Sequence, residues 1–89
     1  MNAPMARRAL LMEYPAATSH ERYHVSVPVG TWAPRCLLGW APIRSSNLTT
    51  IQIVGPVGWL RSGQADPLRE QLRAEGVAVD VHPNAPVAE

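Results

Sequence analysis

Tryptophan and arginine meet in the turns of this chain. Trp32, Trp40 and Trp59 stand in or beside Pro/Gly turns, and phenylalanine is absent. Arg35, Arg44 and Arg61 lie close to them in sequence. Large rings and guanidinium groups in turns have the composition of a protein-interaction hot spot, and the same groups stack on single-stranded bases. The plainer reading is that one or two of the rings anchor a small core. Trp32, Arg35, Trp40, Arg44, Trp59 and Arg61 are therefore the candidate interaction residues. Residues 55–63 (GPVGWLRSG) form a second candidate, a glycine-containing connection between a strand and a helix start. Free helix N–H groups make such a place suited to phosphate. The chain has no lysine to complete a P-loop, however, and Asp66 brings its own negative charge to the position. A structural turn is the expectation. Cys36, between Arg35 and Leu37-Leu38, reads as a buried, inert thiol. A catalytic role would need His24 or His82 brought beside it as a base.

The string His20-Glu21-Arg22-Tyr23-His24 resembles the H-E-x-x-H motif of the zinc metallopeptidases. The resemblance implies zinc held by His20 and His24 on one helical face, Glu21 activating water, and a third ligand from His82 or Asp80. It covers five residues. Arg22 stands where the extended pattern has an uncharged residue, and Ser26 where it has an apolar one. Tyr23, Val25, Val27 and Val29 alternate with Arg22, His24 and Ser26, which is the period of a half-buried strand. On a strand, residues four apart are about 13 Å apart, too far for one zinc ion. The expectation is a strand over 21–29 with exposed histidines, and no cofactor.

Composition narrows the classes further. The chain has 89 residues, 46% hydrophobic and 17% charged, with a net charge of +1. That is one small domain with one thin core, and it is too apolar for a disordered segment. All eight basic residues are arginine against seven acids, too balanced for a non-specific DNA binder or an acidic DNA mimic. One cysteine excludes an internal disulfide and a thiolate-rich zinc site. No apolar run approaches the ~18 residues of a membrane span. Ala9-Leu10-Leu11-Met12 after Arg7-Arg8 falls short of the ~7–15 residues of a signal-peptide core. A cytoplasmic location without membrane contact is expected.

Nine prolines and six glycines, spread along the chain, predict short elements joined by many turns. Strands are expected at 8–14, 21–29, 48–54 and 77–81, with a short one at 35–38 and a polar loop at 44–47. Asp66 as N-cap and Pro67 at the first helical position open a helix. Its buried stripe is Ala65, Leu68 and Leu72, a Glu70–Arg73 pair lies outside, and Gly76 ends it. The fold class is α+β: a small mixed sheet of four to five strands with one helix on one face, a C-terminal β-α-β unit and an N-terminal antiparallel pair. Residues 1–89 form one domain, with loose tails at about 1–6 and 83–89.

The function expected from these features is a small non-catalytic protein-binding module. An accessory or inhibitor protein that modulates a larger complex, such as one from a mobile element, fits the size of the chain. Low charge and open sheet edges also predict self-association. Two alternatives stand beside it. One is nucleic-acid binding through Arg7, Arg8, Arg22, Arg35, Arg44 and Arg61, gathered on one face. The other is a zinc-dependent hydrolase using His20, Glu21 and His24, which requires a helix over 18–26.

Overall fold

The computed structural model describes residues 7–15, 22–30 and 33–82. Its strands are β1 (Arg7–Glu13), β2 (His24–Pro28), β3 (Ile43–Ser46), β4 (Ile51–Gly55) and β5 (Val77–Val81). A 3-10 turn at Arg35–Leu37 precedes β3, and helix α1 (Asp66–Ala74) joins β4 to β5. The strands form one mixed sheet in the order β3-β2-β4-β1-β5. This is the α+β architecture expected, with one helix.

Strand pairing departs from expectation in the N-terminal half. β1 does not pair with β2. It lies between β4 and β5, parallel to both. β2 is antiparallel to β4 and parallel to β3. The reason lies in β1 itself. Its run Ala9-Leu10-Leu11-Met12 is apolar on both faces, which suits a strand with neighbours on each side, whereas alternating β2 suits a place nearer the edge. The helical connection from β4 to β5 therefore crosses over β1, a strand–helix–strand unit with the first strand inserted at its centre.

Register aligns the core. Ile43, Val25, Ile53, Leu11 and Val81 form one row across all five strands. Ile51, Ala9 and Val79 form the next. Leu68 and Leu72 of α1 close over this face together with Ala65, Leu37 and Trp59. On the opposite face the corresponding row is Arg44, Ser26, Gln52, Leu10 and Asp80.

Local differences each have a cause. The expected strand at 35–38 is the 3-10 turn, because the Glu75 carboxylate accepts the N–H groups of Arg35 (2.7 Å) and Cys36 (2.8 Å) and holds them out of any ladder. The expected polar loop at 44–47 contains β3, for which the backbone of β2 supplies the template. Asp66 is not the N-cap. Ala65 occupies that position without a side-chain cap, and Asp66 and Pro67 are the first helical residues. Asp66 pairs instead with Arg69 at 3.3 Å, and no Glu70–Arg73 ion pair occurs among the described residues. Gly76 ends the helix as expected, at φ +85° with its N–H on the Arg73 carbonyl.

Burial ranks the contributions. Leu72 is 0% exposed, so Leu72→Ala should lower unfolding free energy by about 2–5 kcal/mol, cavity included. The Arg8–Asp80 pair is short, at 2.8 Å, but its side chains are 56% and 58% exposed. Arg8→Ala should cost below about 1 kcal/mol. Urea denaturation followed by circular dichroism measures both.

Candidate functional site: an aromatic groove at one end of the sheet

β1 and β4 end where β2 and β3 begin, because β4 is parallel to β1 and antiparallel to β2. Three chain segments meet there: residues 56–65 after β4, residues 38–42 before β3, and Arg22-Tyr23 before β2. In sheets with parallel strands, clefts form outside the carboxyl ends, where connections leave in different directions.

The first of these segments is built around a charge. Glu13, the last residue of β1, accepts the Gly58 N–H with Oε1 at 3.0 Å and the Leu60 N–H with Oε2 at 2.8 Å. Gly58 sits at φ +90°, open to a residue without Cβ. The turn is closed by Trp59 N–H on the Pro56 carbonyl and Ser62 N–H on the Gly58 carbonyl, each at 3.0 Å. Between the two clamped residues the Trp59 side chain turns inward and is only 2% exposed. Its indole lies against Gly55, where an added Cβ would overlap ring atoms Cδ2 and Cε3. Two amides of this connection, Gly58 and Leu60, are thus taken by an internal carboxylate, and the connection is a turn.

Two further rings build outward from Trp59. Tyr23 meets it edge-on, with ring centroids 5.2 Å apart. Trp40 packs on Tyr23 at 4.6 Å and reaches Trp59 at 6.3 Å. Trp40 is 36% exposed, so the stack runs from core to surface. An open groove of about 440 Å³ lies on one side, lined chiefly by Arg22, Tyr23, His24, Trp40, Pro42 and Arg44. A hollow of about 250 Å³ lies on the other, reaching Gln64, Pro67 and Gln71. His24 packs edge-on against Tyr14 at 5.6 Å. Burial raises the Tyr14 pKa above its ordinary value, only partly opposed by the Arg44 charge, so its hydroxyl stays protonated at neutral pH.

The candidate interaction residues separate. Trp40 and Arg44 share the groove. Trp59 lies in the core beneath it and presents no surface anchor. Arg35 opens the 3-10 turn, close enough for its charge to act on Glu75. Arg61 is exposed on the connection after β4, and Trp32 lies outside the described residues. Tyr23, Arg22 and His24 also line the groove. Alternation placed all three on the expected strand over 21–29, whereas β2 begins at His24, and nothing in that period shows that its start meets Trp40.

Of the residues the zinc reading requires, His24, Asp80 and His82 are described. His20 and Glu21 lie outside the described residues. Arg22 and Tyr23 are non-helical, and His24 is the first residue of β2. His82 follows β5, three strand positions from β2, or roughly 14 Å at the usual spacing. Among the described residues no group of three or more His, Cys, Asp or Glu side chains could hold a metal. No helix among them is long and apolar enough to cross a membrane.

Cys36 is held as a thiol. Burial first, then the hydrogen bond to Glu75 and its negative charge, push its pKa from 9.0 to about 11. At Glu75 desolvation acts upward, but the Arg35 and Cys36 N–H groups, the thiol and the Arg35 charge outweigh it, and its pKa is lowered.

No protein-family model matches the chain, and comparison with curated proteins and with solved structures gives no match.

Two measurements test the site's construction. Gly55→Ala should cost about 1–3 kcal/mol by overpacking against Trp59; an unchanged urea midpoint would mean the ring does not lie there. Glu13→Ala should cost about 1.5–3 kcal/mol for the charge-assisted bonds it removes. Separately, alkylation of Cys36 at neutral pH should run about 100-fold slower in the folded protein than in the unfolded chain, following thiolate content. Because the folded state keeps a proton that the unfolded chain releases, this group makes stability fall as pH rises from 9.0 to about 11.

Proposed function

We propose that the chain is a non-catalytic protein-binding module, an accessory or inhibitor protein of a larger complex, and that it binds through the groove around Trp40. The observation that carries this reading is the seating of Trp40. Its ring is held on Tyr23, which rests on buried Trp59, so one face is presented to solvent by a stack anchored in the core. An aromatic ring that is already ordered loses little entropy on binding, and rings with neighbouring arginines dominate interface energies. Exposed Leu38, Ile43 and Leu48 lie on the segments that flank or form β3. Exposed Val29 joins them through its N–H on the Ser46 carbonyl at 2.9 Å. Apolar side chains gathered around one edge strand are the usual mark of an interaction surface.

Nucleic acid is the weaker reading. Its support is Trp40 between Arg22 and Arg44. Against it, Arg8 shares the sheet face of Arg44 but is paired with Asp80, and Arg35 lies by Glu75.

Affinity capture from cell lysate with nuclease, in steps of salt, tests the reading. The expected outcome is a stoichiometric protein that survives nuclease and moderate salt and falls at least about 10-fold with Trp40→Ala. Val57→Ala, at an exposed position on the connection after β4, should leave it unchanged. Equal capture by the Trp40 variant would remove the groove from the proposal. Signal lost with nuclease would replace a protein partner with nucleic acid.

A further inference from the structure

We infer that the groove receives an extended, acidic segment of a partner protein, laid along the free edge of β3, with its carboxylates on Arg22 and Arg44 and an apolar side chain on Trp40. This rests on the protein-binding reading and specifies the partner's chemistry.

Charge is the first argument. Among the described residues Glu13 is held by loop amides, Glu75 by the 3-10 turn, Asp66 by Arg69 and Asp80 by Arg8. Glu70 lies on α1 beside a separate shallow surface with Asp66, Arg69 and Arg73. None of these five carboxylates lines the groove, whereas Arg22 and Arg44 both do and both are exposed. Neither arginine forms an ion pair among the described residues. Guanidinium groups are weakly hydrated and bind carboxylates through two parallel N–H bonds, so two of them beside an aromatic ring select an anionic ligand.

The sheet edge is the second. Among the described residues β3 pairs with β2 alone, so its other side offers backbone donors and acceptors to an incoming strand. Arg44 is its one charged residue, which repels basic segments and attracts acidic ones. Ile43, the first residue of β3, adds an exposed apolar side chain to this edge strand. A peptide backbone matches this edge, while a nucleic acid would find only two groove arginines, too few for strong phosphate binding.

The test uses fluorescence anisotropy with the whole chain and three labelled probes. These are a peptide of about ten residues alternating glutamate and valine, its lysine counterpart, and an oligothymidine of matching length, sized to an edge strand of ordinary length. The expected result is saturable binding of the acidic peptide only, weakened by salt. Arg44→Glu and Arg22→Glu should each weaken it at least about 10-fold, and Arg44→Lys less than Arg44→Glu. Proline at alternate peptide positions should abolish it, since proline cannot complete a ladder. No saturable binding of the acidic peptide, equal binding of the lysine peptide, or preference for oligothymidine would overturn the inference. So would undiminished capture of the lysate partner by the arginine variants. If the Trp40 variant still loses that partner, the protein-binding reading survives and only the acidic chemistry fails. If it does not, the reading itself fails.

Discussion

Glu13 closes β1 by accepting two amides from the connection that follows β4. The bonds join the ends of two adjacent parallel strands to one turn, and so fix where Trp59 points. With Gly58 and Leu60 held, the indole between them has the space over Gly55 to enter, and it fills that space. Tyr23 then rests on Trp59 and Trp40 on Tyr23. A single internal carboxylate thus orders a column of three rings, the last of them at the surface. The Gly58 and Leu60 amides are thereby engaged within the molecule.

Glu75 does a related job elsewhere. It accepts the first amides of the 3-10 turn from the end of α1, tying the helix to the segment that leads into residues 38–42 and so to Trp40. Both carboxylates act chiefly on backbone N–H groups. In a chain this small such ties matter, because its core is one layer of apolar rows under one short helix, and small domains bury a modest share of their surface. Burial, and then the thiol's own hydrogen bond to Glu75 and that residue's negative charge, keep Cys36 a protonated thiol near neutral pH.

Two aspects of the sheet bear on binding. Its inner strands β2, β4 and β1 are paired on both sides, while β3 is short, exposed and, among the described residues, paired once. The ring column reaches the surface beside that edge. Rigid aromatic surface, guanidinium groups and an open strand therefore adjoin one another, with the molecule's described carboxylates engaged elsewhere. That adjacency carries the binding proposal.

Much of the fold could be read from local pattern. Alternation marked Val25 and Val27 as inward and His24 as outward, the β-branched run marked β4, and Ala65, Leu68, Leu72 and Gly76 marked the buried stripe and end of α1. These features depend on periods of two or 3.6 residues and on the φ that glycine permits, all of which act within a few positions. Other features depend on partners distant in sequence. Arg35–Leu37 is a 3-10 turn because Glu75 takes its amides, and Ile43–Ser46 is a strand because β2 lies beside it. β1 is central because two strands reach it from far along the chain. Trp59 is buried and Trp40 exposed, although both stand in similar turns, because Glu13 and Gly55 select one of them for the core. The candidate groove belongs to this second kind. By itself the sequence determined which residues were chemically capable of binding. Only the tertiary structure decided which of them meet, because that depends on which strands pair and on the few long-range hydrogen bonds that hold their ends.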